Sequence, residues 1–105
     1  MAALLNVPKT ARAGEIIEIK TLISHPMHTG YNRDDSGQPV PRDIIRLFTC
    51  RYDGAEVFRL ELTQAIASNP FIVFSTVATR SGTIEFEWTD EKGQVWRETA
   101  VITVA

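Results

Sequence analysis

Thr83-Ile84-Glu85-Phe86-Glu87-Trp88-Thr89-Asp90 alternates without a fault, with Ile84, Phe86 and Trp88 on one side and Glu85 and Glu87 on the other. Side chains of an extended chain point to opposite faces in turn, so a period of two gives a strand with one dry and one wet face. Asp90-Glu91-Lys92-Gly93 follows as a hairpin loop, and Gln94 to Val104 returns as the last strand. An antiparallel pair solvated on one side is a unit of a sandwich or a barrel.

Upstream of this hairpin the same grammar repeats. Phe71 to Ala78 is a nearly continuous apolar run, which predicts burial on both faces or a central place in a sheet. Ser81-Gly82 turns the chain after it, and before it 63–69 reads as a short crossover stopped by Pro70. Ile44 to Tyr52 places Phe48, Cys50 and Tyr52 on one face, opposite Leu47, Thr49 and Arg51. Asp53-Gly54 supplies residues that tolerate positive φ in a hairpin turn, and the return strand aligns Phe58, Leu60 and Leu62 inward. After Ala13-Gly14, a further strand over 15–23 puts Ile17, Ile19 and Ile23 inside and Glu18 and Lys20 outside. The sum is an all-β, immunoglobulin-like antiparallel β-sandwich of about six to seven strands, in a single domain spanning 1–105.

One segment breaks the pattern. Residues 25–43 hold three of the five prolines and two of the six glycines, and follow neither a helical nor a strand period. Unstructured connections beyond about 12–15 residues are uncommon in compact domains and are disproportionately functional. Met27, Tyr31, Arg33 and Arg42 within it are residue types enriched at protein interfaces, and Arg can clamp carboxylates with two parallel bonds. These four are the candidate partner-binding residues.

Charge and composition exclude several function classes. The chain of 105 residues has 11 Lys and Arg against 13 Asp and Glu, a net charge of −2. No cationic surplus is there to neutralise phosphates, which argues against nucleic acid. No apolar run approaches the roughly 20 residues that span a bilayer, so no membrane role is expected. The N-terminal residues lack a basic stretch followed by an apolar one, so no signal peptide is read there. A lone cysteine, Cys50, forbids an internal disulfide and leaves the redox compartment open.

Catalytic and metal sites find little support. Cys50 lies mid-strand without flanking glycines to move it, and reads as a buried structural thiol, with an inter-subunit disulfide as the alternative. A nucleophilic pair with His25 would need an exposed thiol and a held base. His25 and His28, with Asp34 and Asp35, could be drawn as a metal site, yet neither a cysteine pair nor a third histidine supports it. The iron site of immunoglobulin-like superoxide reductases takes four His and one Cys, and this sequence has two His. Glu85 and Glu87 are the wet face of a strand, and Trp88 and Trp96 belong to the core or to the sheet interface. No catalytic residue, no metal ligand and no cofactor is expected.

A set of strings carries a resemblance. Ala13-Gly14-Glu15, Ser24-His25-Pro26-Met27, Thr29-Gly30, Asp34-Asp35-Ser36-Gly37, Pro41-Arg42 and Ile44-Ile45 resemble the Z-subunit family of the bacterial sulfur-oxidation (Sox) system, SoxZ. Phe48-Thr49-Cys50, Tyr52-Asp53-Gly54, Glu56-Val57-Phe58, Ala67-Ser68-Asn69-Pro70 and the 82–90 stretch continue it, over about 8–105. At position 28 the chain has His where the family often has Glu, so no role that needs a carboxylate is carried over.

The resemblance implies a non-catalytic immunoglobulin-like subunit in a heterodimer with SoxY. That partner carries sulfur intermediates on a cysteine in a glycine-rich arm. It also implies transient encounters with the cytochrome SoxAX, the hydrolase SoxB and the dehydrogenase SoxCD during thiosulfate oxidation. A periplasmic location follows, reached by co-export with SoxY. Exposed sheet edges would also let the isolated chain form a homodimer. The rival readings are a generic immunoglobulin-like ligand- or protein-binding module, or a small metal or thiol redox protein built on His25, His28 and Cys50.

Overall fold

The 83–90 alternation lies at the centre of the larger of two sheets in the computed structural model, which describes residues 3–24, 37, 44–62 and 70–105. Eight strands run in order: β1 (Ala3–Asn6), β2 (Thr10–Ala11), β3 (Ile16–Ile23), β4 (Ile45–Tyr52), β5 (Ala55–Glu61), β6 (Phe71–Val77), β7 (Gly82–Asp90) and β8 (Val95–Val104). The five-stranded sheet has the order β2-β8-β7-β4-β5 and the three-stranded sheet β1-β3-β6. All pairings are antiparallel except the two-residue β2, which runs parallel to β8. The expected β-sandwich is therefore present, with β1 and β2 as strands that the periodicity did not reveal.

Register follows from which faces are dry. Cys50 pairs with Phe86 and Phe48 with Trp88, so the inward rows of β4 and β7 coincide. Across the sandwich, Ile17, Ile19, Thr21 and Ile23 of β3 are buried together with Ile72 and Phe74 of β6. Phe48 is the hub of the core, with ring centroids 5.3 Å from Trp88, 6.1 Å from Phe58 and 6.0 Å from Phe74. Phe58 and Phe74 stack at 4.3 Å and join the two sheets. Full burial, as at Phe48 and Trp88, stabilises the fold by roughly 1.5–3 kcal/mol for each such side chain. Trp96 packs at the margin of this cluster, half-buried.

The hairpins close with side-chain help. Asp53 and Gly54 have φ of 51° and 87°, the pair of left-handed residues that a two-residue turn between twisted strands requires. The Tyr52 hydroxyl donates to the Arg80 carbonyl and ties this turn to the connection between β6 and β7. At the other hairpin, Asp90 Oδ1 accepts from the backbone N–H of Lys92 and of Gln94, each at 2.9 Å.

One strand departs from its sequence reading. The apolar run 71–78 predicts burial on both faces or a central position, but β6 lies at the edge of the three-stranded sheet. Ile72 and Phe74 are buried, while Phe71, Val73 and Val77 are 62%, 44% and 45% exposed. Hydrophobicity on both faces here means one face for the core and a second with nothing described over it.

Candidate interaction surface

The outer face of the three-stranded sheet is built from the even positions of β3 and their cross-strand neighbours. Leu4, Leu22 and Phe71 stand side by side in one row, since Leu4 pairs with Leu22 and Leu22 with Phe71. The next row is Asn6, Lys20 and Val73; then come Glu18 beside Ser75, and Ile16 beside Val77. Leu4 is 68% and Ile16 73% exposed. Two apolar ends therefore flank a polar waist, where Lys20 Nζ lies 3.5 Å from a Glu18 carboxylate oxygen. Directly opposed side chains sit about 5 Å apart, so each row is a continuous strip.

The opposite outer face, on the five-stranded sheet, has a different chemistry. Glu85 and Glu87 project there as the alternation requires, and Arg97 Nε lies 3.1 Å from Glu87 Oε2 across the β7–β8 pair. Arg59 and Glu56 pair at 3.0 Å on β5. This is the wet side of the sandwich.

Cys50 does not belong to any surface. Its side chain is fully buried, paired in register with Phe58 on one side and Phe86 on the other. Burial pushes its thiol up from 9.0 to about 12. A nucleophile or sulfur carrier works as the accessible thiolate, which this environment suppresses. The same burial keeps Sγ away from a cysteine on another subunit.

A groove of about 520 Å³ opens between the edges of the sandwich, lined by Tyr52, Asp53, Val57, Val77 and Arg80 among others. The Arg80 guanidinium lies 2.6 Å from Asp53 Oδ2, so the charge at its mouth is already answered. Among the described residues no group of three or more His, Cys, Asp or Glu side chains is placed to hold a metal. The candidate residues Met27, Tyr31, Arg33 and Arg42, like His25, His28, Asp34 and Asp35, lie outside the described residues.

The model of the sulphur oxidation protein SoxZ family matches residues 5–101, nearly the whole chain. The chain belongs to the SoxZ family. Among curated proteins none matches it significantly. Solved structures show how widely the sandwich is shared. A superoxide reductase (neelaredoxin) from Ignicoccus hospitalis has a TM-score of 0.74 at 12% identity, covering 100% of this chain and 81% of its own. The sulfur carrier protein SoxY from Chlorobium limicola has a TM-score of 0.68 at 11% identity, covering 100% and 80%. The PKD domain of an M14-like peptidase from a Thermoplasmatales archaeon reaches 0.61 at 14% identity, covering 97% and 91%.

At such identities the likeness is of fold alone, and function rests on the family. This chain has two histidines in its whole sequence, and its one cysteine is buried in the core. What the sequence reading missed was the outer face of β1-β3-β6. Its signal was already present in the alternate residues Phe71, Val73 and Val77, which an ordinary sandwich would make polar.

Proposed function

We propose that this chain is the non-catalytic subunit of a SoxYZ-type sulfur-carrier complex. It binds SoxY and helps present that partner's cysteine-bound sulfur intermediates to SoxAX, SoxB and SoxCD during thiosulfate oxidation. The observation that supports this reading most is Cys50: a protein of the sulfur-oxidation system whose only thiol is buried and raised to about 12 needs another chain to carry the sulfur. The mechanism is positional. Tethering a sulfur adduct beside a rigid docking domain raises its effective concentration at each enzyme in turn. The complex forms in the periplasm, entered together with SoxY.

In the proposed complex Met27, Tyr31, Arg33 and Arg42 contribute to the surface that SoxY or a visiting enzyme touches. Replacing them with Ala weakens SoxY binding or slows thiosulfate-dependent turnover; unchanged values in both assays remove these residues from the interface. The function itself is tested by co-expressing the chain with SoxY and following sulfur. The expected result is a 1:1 complex with sulfane sulfur on the SoxY cysteine and none on Cys50. Purified chain that alone acquires sulfane sulfur at Cys50 and passes it on would overturn the proposal.

A further inference from the structure

We infer that the outer face of the β1-β3-β6 sheet, from the Leu4-Leu22-Phe71 row to the Ile16-Val77 pair, is the surface on which the SoxY-type subunit seats one of its own sheets. This rests on the proposed partnership and adds where the partner sits. Three observations carry it.

The first is area. Leu4, Ile16, Phe71, Val73 and Val77 are between 44% and 73% exposed on one face. Together the two apolar ends leave on the order of 500 Å² of these residues in water, split by the Glu18–Lys20 waist, an amount comparable to the patches that mark interaction sites. A standard interface buries about 800 Å² per partner, so this face alone supplies most of one side.

The second is charge. The only ionic groups in the rows are Glu18 and Lys20, and they lie 3.5 Å from one another. A partner covering them needs no counter-charge of its own, only polar groups over the waist to satisfy the hydrogen-bonding sites that the pair leaves open. Anionic and nucleic-acid partners find no cationic field here, with Lys20 engaged and the whole chain at −2.

The third is shape. A twisted sheet face stacks best on another sheet of the same twist, about 10 Å away and rotated by roughly 30°. The SoxY of Chlorobium limicola has such a sandwich, superposing on the full length of this chain. The opposite face also exposes Val95 and Val101, but sets them among the charged groups Glu85, Glu87, Arg97 and Arg59.

The test measures the affinity of the full chain for purified SoxY, with charges placed on either face at exposed positions. Ile16→Glu with Phe71→Glu is expected to weaken binding by 100-fold or more. Val101→Glu, 69% exposed on β8 of the other sheet, is expected to change it by less than threefold. Amide exchange of the wild-type complex provides a readout independent of any variant, with new protection expected over 71–77 and little over 95–104.

If the double variant binds like wild type and β6 gains no protection, the face assignment falls while the partnership stands. If the wild-type chain fails to bind SoxY at all, the proposed function itself has failed and this inference with it. If the double substitution abolishes a homodimer but leaves SoxY binding intact, the occupant is a second copy and the assignment to SoxY is wrong.

Discussion

Cys50 and Asp90 show how much a single buried group decides. With its thiol raised to about 12, Cys50 is thiolate in only about one molecule in 10⁵ at pH 7. Alkylation of the folded chain should therefore proceed at the rate of global unfolding, and labelling that outpaces unfolding in exchange measurements would contradict the burial. The same shift makes stability depend on pH. Below the ordinary value of 9.0 the thiol is neutral in both states and its contribution is fully present. As pH rises from 9.0 toward about 12 the unfolded chain ionises and the folded one does not, so stability is lost. The slope approaches about 1.4 kcal/mol per pH unit. Denaturant melts of wild type and Cys50→Ala across this range should show the slope in wild type and a flatter curve in the variant. The cavity left by the variant lowers its stability at every pH alike, so the flattening reports the missing thiol alone. Asp90 acts through geometry instead: its Oδ1 accepts two backbone N–H groups that the β7–β8 turn leaves over. Asp90→Ala should cost about 2 kcal/mol, and Asp90→Asn, which keeps an oxygen there, should recover part of it in the same melts.

Within one strand, β6, adjacent apolar residues have unequal worth. Phe74 is buried and stacked on Phe58 at 4.3 Å, whereas Phe71, three positions earlier, is 62% exposed. Phe74→Ala should destabilise the isolated chain by about 3–5 kcal/mol through the cavity it leaves. Phe71→Ala should change stability by less than about 1 kcal/mol, and equal losses in urea melts would mean that β6 is not placed as described. This strand also marks the limit of what periodicity conveys. Where alternation was clear, as in β7 or in β4 with Phe48, Cys50 and Tyr52, it gave the strand and its inward face, and turn residues such as Asp53-Gly54 gave the hairpin partner. Where both faces were apolar, as at 71–78, burial inside the domain and burial against another protein leave the same pattern. The four residues of β1 and the two of β2 are too few for a period to register; each forms because β3 or β8 offers a ladder. For the site, the resemblance named the partner, but the outer face became visible only when Leu4, Leu22 and Phe71, far apart in sequence, fell into one row.

At the scale of the whole molecule, the proposed complex links folding to partner binding, because a partner that covers the outer face of β1-β3-β6 binds the native state alone. Binding to the native state stabilises it by RT ln(1 + [L]/Kd), about 2.7 kcal/mol when SoxY is present at 100 times its Kd. In a domain of this size each kcal/mol moves Tm by roughly 4–8 °C, so saturating SoxY should raise the melting temperature of this chain by roughly 10–20 °C. Ile16→Glu with Phe71→Glu provides the discriminating comparison. Both side chains are mostly solvated in the isolated chain, so its own Tm should stay within a few degrees of wild type while the increment from SoxY disappears. A variant that melts far below wild type when alone would place these residues in the core, contrary to their exposure. One that melts normally and keeps the full increment would place SoxY elsewhere. The separation works because the two processes draw on different faces of the same strands: Ile17, Ile19, Ile72 and Phe74 hold the fold, and their sequence neighbours Ile16, Phe71 and Val73 remain available to hold the partner.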